Sequence, residues 1–226
     1  MNKLFRTKNK IAIILPAFNE ELSLDSLLNE IKLHFKKQFY IVVVDDGSDD
    51  ETFKIASKYT NFVLRHAVNL GKGAALRTGC KFAFSILDVN SVIMMDADQQ
   101  HAVDDFLKFI KKINKGYGLI FGVRSFKGMP RFAAFANKVT SLILKIIYGI
   151  YIPDILSGYK AISRKVYERL NWQAVGYEVE IDIAKIVARE KIPFITLPIK
   201  TIYLDQIKGV SFVDAVRVWF NLLGFK

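Results

Sequence analysis

Two carboxylates, Asp96 and Asp98, alternate out of the end of an apolar run from Ser91 to Met95. Acids this close repel one another unless a cation lies between them. Oxygen ligands suit Mg2+ or Mn2+, which also bridge diphosphates. A D-x-D pattern alone is often a solvated turn, and its place after a buried strand is what turns it toward metal chemistry. A calcium loop opening at Asp96 is excluded, because His101 replaces the turn glycine and Leu107 replaces the closing glutamate. One cysteine, Cys80, and three histidines, His34, His66 and His101, leave no disulfide framework and no basis for a Cys/His zinc site.

Other groups are weaker on their own. Asp45 and Asp46 end another apolar run, where a carboxylate can accept from a ribose or a base edge, or form an Asp-Gly turn. The glycines of Asn69-Leu70-Gly71-Lys72-Gly73 would let backbone N–H groups approach a phosphate at a helix N-terminus. That segment is neither a Walker A loop nor a dinucleotide fingerprint, and a simple loop-to-helix turn accounts for it. Arg124, Lys127 and Arg131 suit a phosphate or a solvated loop. Ser157-Gly158-Tyr159-Lys160 reads as a turn into a strand. Glu178, Glu180 and Asp182 open a helix, where the dipole favours acids.

Short apolar runs alternate with helical patterns and supply the frame. Ile11–Leu15, Tyr40–Val44, Phe62–Leu64, Ser91–Met95 and Gly118–Gly122 read as strands. Leu24, Leu27, Leu28, Ile31 and Phe35 repeat at helical spacing, as do Val103, Phe106, Leu107, Ile110 and Ile113. A helix is expected from about Lys72 to Leu87, and another opened by Ser48 and Glu51 at capping-box spacing. This alternation predicts an α/β fold with a mostly parallel sheet covered on both faces. Ligands bind such sheets at the carboxyl ends of the strands, so residues 17–20, 45–48 and 96–98 should share one edge.

The chain has 226 residues, 51% of them hydrophobic, which suffices for one sizeable domain. Its net charge of +11 fits nucleic acid, an anionic membrane surface or phosphorylated substrates. No nucleic-acid module is recognisable, so nucleic acid is not expected as a partner. The apolar run at residues 11–15 is too short for a secretory signal, and a cytoplasmic site on the inner face of the membrane is expected. Arg131–Ile152 and Ser211–Lys226 are amphipathic and too interrupted to span a bilayer, which leaves core packing or an interfacial position.

The order of the motifs is more specific than any one of them. Leu15-Pro16-Ala17-Phe18-Asn19-Glu20, Val43-Val44-Asp45-Asp46-Gly47-Ser48, Asn69-Leu70-Gly71-Lys72-Gly73, Met95-Asp96-Ala97-Asp98-Gln99-Gln100-His101, Gly122-Val123-Arg124 and Asp154-Ile155-Leu156-Ser157-Gly158-Tyr159-Lys160 follow in sequence. The arrangement resembles the family 2 glycosyltransferases of GT-A fold, and within them the dolichyl- or polyprenyl-phosphate mannosyl- and glucosyltransferases. The resemblance implies a Rossmann-like three-layer sandwich in one domain over residues 1–226. About 10–125 would form a nucleotide-sugar half, and about 126–226 an acceptor half with amphipathic helices. It implies that Pro16, Ala17, Asn19 and Glu20 line the nucleotide, with Asp45 at the base or ribose and Lys72 nearby. Asp96, Asp98 and Gln100 would hold Mg2+ or Mn2+ on the diphosphate. Arg124 and Arg131 would approach the donor diphosphate or the acceptor phosphate, and Ser157 and Gly158 would shape the acceptor side. Gln99 replaces the usual Leu of that branch. Tyr159-Lys160 replaces Phe-Arg, and a lysine cannot reproduce a bidentate arginine.

These readings lead to an inverting hexosyl transfer from GDP-mannose or a UDP-glucose-type donor, with Asp98 and Arg124 stabilising the leaving group. A hydroxyl acceptor needs a general base, for which Asp154 is the best candidate, whereas a lipid phosphate is already anionic. Because the base motif of hydroxyl-acceptor members is missing, a polyprenyl phosphate at an anionic membrane surface is the expected acceptor. A membrane-protein partner or a homo-oligomer is compatible with this. The alternatives are transfer to a hydroxyl of a cell-surface glycan, a nucleotidyltransferase on the same sheet, or a non-enzymatic basic binding module.

Overall fold

The computed structural model describes residues 9–35, 39–98 and 103–200. Strand and helix alternate from the start: β1 (Ile11–Ala17), α1 (Glu21–Phe35), β2 (Tyr40–Asp45), α2 (Thr52–Tyr59), β3 (Phe62–Arg65), α3 (Lys72–Ser85) and β4 (Ser91–Met94). A short 3₁₀ turn at Val103–Asp105 leads into α4 (Phe106–Asn114) and β5 (Leu119–Arg124). Then come α5 (Arg131–Tyr148), β6 (Lys160–Ser163), the single turn α6 (Arg164–Tyr167), α7 (Val179–Arg189) and β7 (Ile195–Ile199).

The strands form one seven-stranded sheet in the order β3-β2-β1-β4-β6-β5-β7, shared by both halves of the chain. All neighbours are parallel except β6, which runs antiparallel to β4 and β5. Ile11 to Leu15 are all buried without alternation, because the sheet is covered on both faces. One face packs against α1 and α4 through Leu24, Leu28, Phe106 and Phe109. The other packs against α3, α5 and α7 through Leu76, Ala83, Leu144 and Ile183. This is the expected three-layer α/β architecture.

Topology fixes where a ligand can sit. From β1 the chain winds outward to β2 and β3, then returns to place β4 on the other side of β1. Strand order therefore reverses between β1 and β4, and such a reversal opens a crevice at the strands' carboxyl ends. The β1–β4 ladder stops at Ile14 opposite Met94, so Pro16, which has no N–H to donate, lies beyond it. β6 starts at the same edge, with Lys160 opposite both Met94 and Phe121. Its antiparallel course brings residues 154–159 to the carboxyl ends of β4 and β5.

Two local expectations are corrected. Ser48 does not cap α2: its hydroxyl accepts from the Asn19 N–H at 3.0 Å, and the position before the helix is Glu51, which makes no side-chain cap bond. The second concerns α5, which ends at Tyr148, with Gly149 in the left-handed region (φ 74°) accepting the chain reversal. Its buried stripe is Ala136, Asn137, Thr140, Ser141 and Leu144, while Phe135, Leu142 and Ile146 face outward. The small and polar stripe has a use. The Asn137 amide donates to the Pro153 carbonyl at 2.9 Å and accepts from the Leu156 N–H at 3.4 Å, anchoring the segment that carries Asp154. The amphipathic segment Ser211–Lys226 lies outside the described residues.

Candidate active site

The loops after β1 and β2 are laced together by short side chains. The Asp46 N–H donates to the Ala17 carbonyl at 2.8 Å, and the Asn19 carboxamide oxygen accepts from the Asp49 N–H at 3.0 Å. The Glu20 N–H donates to the Thr52 hydroxyl at 2.8 Å. Asn19 is held in the left-handed region at φ 53°, which asparagine tolerates. Pro16 is half-buried, Ala17 buried and Asn19 exposed, all at the mouth of the β1/β4 crevice. Asp45 is fully buried, accepts from the Ser48 N–H at 3.0 Å and lies 3.1 Å from Arg65 Nε. Asp46 accepts from the Leu70 and Gly71 N–H groups at 3.0 and 2.7 Å and meets His66 at 2.6 Å. Of the two acids, Asp46 builds the following loop.

That loop does not cradle a phosphate with its glycines. A Cβ on Gly71 would lie 2.5 Å from the Val175 carbonyl oxygen, and one on Gly73 would lie 2.3 Å from that of Ala174. The Ala74 N–H donates to the Val175 carbonyl at 3.0 Å, and the Trp172 indole donates to the Gly73 carbonyl at 3.1 Å. The glycines admit the chain's own 172–176 segment over the start of α3, leaving Lys72 as the group that reaches the site.

Asp96 follows β4 and is half-buried, as is Asp98. Lys72 Nζ is 2.6 Å from Asp96 Oδ1 and 3.1 Å from Glu180 Oε1. Glu180, from α7, also contacts the ammonium of the fully buried Lys160, which donates to the Ser157 carbonyl as well. Burial lowers the Lys72 pKa, but Asp96 and Glu180 more than offset it and hold the ammonium above its ordinary value. For Lys160 burial prevails over the pull of Glu180, and its pKa falls below the ordinary value. Sequence reasoning missed Glu180 and Lys160 as members of this cluster. The available signal was position: Glu180 shares the stripe of Ile183, Ala184 and Val187, where an apolar residue is expected.

Asp96 also sits against the segment before β6. A Cβ on Gly158 would lie 2.2 Å from Asp96 Oδ2, so only glycine lets that segment meet the carboxylate. Gly158→Ala should leave the fold intact, because the clash falls on one half-buried side chain, yet shift Asp96. At least a tenfold loss of kcat/KM with a Tm within a few degrees of the parent is expected; an unchanged kcat/KM would refute the constraint. Ser157 is itself buried, and its hydroxyl accepts from the Tyr159 N–H at 3.3 Å, so this segment lines the site through its backbone.

Arg124, at the end of β5, is joined to Asp154 by three bonds. Asp154 Oδ2 accepts from the Arg124 N–H at 2.9 Å and Nε at 2.8 Å, and Oδ1 accepts from Nη2 at 2.9 Å. Asp154 is fully buried. This corrects its reading as a general base: both oxygens are engaged by one guanidinium, and no face is open to an acceptor hydroxyl. Arg131, the first residue of α5, is exposed. Gln100 lies outside the described residues.

The donor set fits a hard divalent cation. Asp96 already faces an ammonium, and Mg2+ characteristically takes one or two carboxylates plus substrate phosphates. Among the described residues no group of three or more His, Cys, Asp or Glu side chains gathers for a metal, and Gln100, the third ligand the resemblance implies, lies outside them.

A mostly parallel sheet with acids at its switch point and one antiparallel strand set between β4 and β5 is the GT-A arrangement. Residues 12–170 match the model of glycosyl transferase family 2, and the chain belongs to that family. It is 32% identical to an uncharacterized protein of Methanocaldococcus jannaschii, over 96% of this chain and 92% of that one. It is also 32% identical to a UDP-N-acetylglucosamine–dolichyl-phosphate N-acetylglucosaminyltransferase of Methanococcus voltae, over 96% of each chain. Among solved structures, glucosyl-3-phosphoglycerate synthase of Mycobacterium tuberculosis, in complex with Mn2+, UDP and phosphoglyceric acid, superposes with a TM-score of 0.75 at 21% identity. The match covers 96% of this chain and 78% of that one. A further complex of the same enzyme holds Mg2+ and UDP. The protein is thus a glycosyltransferase, and the Mg2+ or Mn2+ expected from its sequence is the cation those structures hold alongside UDP.

The expected acceptor is corrected. The superposable structures include complexes with phosphoglyceric acid, a phosphorylated acid that is not a lipid. Among the described residues no helix is long and apolar enough to cross a membrane. The phosphoglyceric acid of those complexes is the finding that sets aside the polyprenyl phosphate and the membrane surface expected as partners. The general-base role of Asp154 is not carried over either, since Arg124 engages both of its oxygens. Family membership also displaces the nucleotidyltransferase and the non-enzymatic module.

Proposed function

We propose that this protein transfers a hexose from a UDP-sugar to a hydroxyl group of a small phosphorylated acceptor of the phosphoglyceric acid class, with Mg2+ or Mn2+ on the donor diphosphate. The observation that carries the reading is the meeting of Asp96 with Gly158, which joins the donor edge of β4 to the acceptor-side segment before β6 at one point. Likeness to complexes holding Mn2+, UDP and phosphoglyceric acid supports the same pairing of ligands. A net charge of +11 and the exposed Arg131 at the start of α5 suit an anionic acceptor.

In this reading residues 1–226 act as one domain with a donor half and an acceptor half. Pro16, Ala17, Asn19 and Glu20 border the nucleotide, and Asp45 lies beneath the base or ribose. Asp96 and Asp98, with Gln100, would hold the cation, which supplies electrophilic charge to the departing diphosphate. Lys72 adds a second positive charge there. The acceptor hydroxyl oxygen bonds to the anomeric carbon, the bond from that carbon to the diphosphate oxygen breaks, its electron pair leaves with UDP, and the departing diphosphate takes up the hydroxyl proton. Arg124, oriented by Asp154, faces the developing charge. Arg131 attracts the acceptor phosphate.

The test supplies purified protein with radiolabelled UDP-glucose and Mn2+, offering phosphoglyceric acid in one reaction and polyprenyl phosphate in another. A water-soluble, phosphatase-sensitive labelled glycoside released together with UDP is expected from the first. Label recovered instead in the chloroform phase of the second would overturn the proposal.

A further inference from the structure

Behind Asp96 four charges alternate into the interior: Asp96, Lys72, Glu180 and Lys160. Lys72 Nζ bridges Asp96 Oδ1 at 2.6 Å and Glu180 Oε1 at 3.1 Å, and the other Glu180 oxygen contacts Lys160. Lys160 is fully buried on β6 and Glu180 is nearly so on α7, so neither has water to replace a lost partner. An isolated buried charge is costly, and a run of alternating ones is tolerated because each neutralises the next.

We propose that Glu180 is a positioning residue for the sugar transfer, setting Lys72 at the donor diphosphate while Lys160 fixes Glu180 in turn. The inference rests on reading Asp96 and Asp98 as the diphosphate site. A lysine has a long flexible stem and three donors on its ammonium. Asp96 and Glu180 both lie within ion-pair distance of the Lys72 ammonium, at 2.6 and 3.1 Å, and together restrict where it can sit. Glu180 can do this only while its own plane is fixed, and Lys160, tied to the Ser157 carbonyl, fixes it. The same chain of contacts connects Lys72 to the backbone of the 157–158 segment, so the cation on the donor and the wall of the acceptor side are set by one network. The Tyr177 ring, 5.9 Å from Lys72 Nζ, also borders the ammonium.

A merely structural role for Glu180 would be to neutralise Lys160, and two variants separate the roles. Glu180→Gln alone strands Lys160 and should lower Tm under either role. In the double variant Glu180→Gln/Lys160→Met the inner pair is gone, and stability should return toward the parent, because Lys160 no longer leaves an uncompensated charge in the interior. Lys72 still lacks its inner partner there. Calorimetric binding of UDP with Mn2+ should then be roughly tenfold weaker than in the parent, the scale of a charge-assisted hydrogen bond. In a Lys72→Met background the same pair of changes should add no further loss, because Glu180 acts through Lys72. Glu180→Asp gives a second route: it keeps the charge but shortens the arm, and should weaken UDP binding similarly with a smaller loss of Tm. Parent-like UDP binding by a folded double variant or by Glu180→Asp would overturn the inference and leave the proposed function standing, as would a loss additive with that of Lys72→Met. A parent protein that binds no UDP with Mn2+ would overturn both.

Discussion

Asp98→Asn is expected to lower kcat for sugar transfer by roughly 10²–10³-fold, the scale of losing one group that stabilises a leaving oxyanion. Asp98 emerges two residues after Asp96 beyond the end of β4, half-buried at the mouth of the crevice between β1 and β4. Asp96, which also pairs with Lys72 at 2.6 Å, and Asp98 are the two carboxylates placed to hold a divalent cation there. Asparagine keeps the volume and one oxygen but removes the charge. Apparent Mn2+ affinity should fall by at least the 10–100-fold seen when a metal site loses an outer partner. The fold should not suffer, because the side chain is half in solvent. The measurement is a Mn2+ titration of initial rates beside a thermal melt. Parent-like kcat at saturating Mn2+ would remove Asp98 from the chemistry.

The sheet and its edge were legible because the signals are local. Ile11–Leu15, Tyr40–Val44 and Ser91–Met95 are unbroken apolar runs, and a strand covered on both faces has no other pattern to show. What failed did so where a residue's partner is distant in sequence. Lys160 looks polar, yet it is a buried strand residue because Glu180, on another element, neutralises it. β7 carries Pro198 and alternates between exposed and buried positions, so no apolar run announced it. The face of α5 that packs is its small and polar one, chosen by the Pro153 carbonyl it must satisfy rather than by hydrophobicity. The glycines at 71 and 73 fitted a phosphate cradle as well as the plain loop-to-helix turn, because an anion and a neighbouring backbone both require a missing Cβ. Only the placement of residues 174–176 decides between them. The acids at the strand ends were visible as acids. Which of them touch substrate and which hold other residues depends on burial and on partners 30 or more positions away, as for Asp154 and Arg124.

Asp154→Asn separates a base from a positioning residue. A base would be dispensable for folding, and its loss would leave donor binding intact while stopping transfer. The geometry predicts otherwise. Asp154 is fully buried, and both of its oxygens accept from Arg124, one of them from the backbone N–H as well. An asparagine would turn an N–H group toward a guanidinium that has only donors and would leave that guanidinium's charge uncompensated. Breaking a buried pair from one side costs about 3–5 kcal/mol. For a chain of this size that corresponds to a Tm lowered by roughly 6–20 °C. Donor affinity should weaken too, since Arg124 loses the partner that fixes its plane. The decisive comparison is a cycle with Arg124→Ala, read as kcat at a temperature where all forms are folded. If Asp154 acts through Arg124, the double variant turns over no more slowly than Arg124→Ala alone, because residues in one contact network do not add. Rate losses that multiply would return to Asp154 a separate part in the chemistry, and with it the hydroxyl-activating role that its burial argues against.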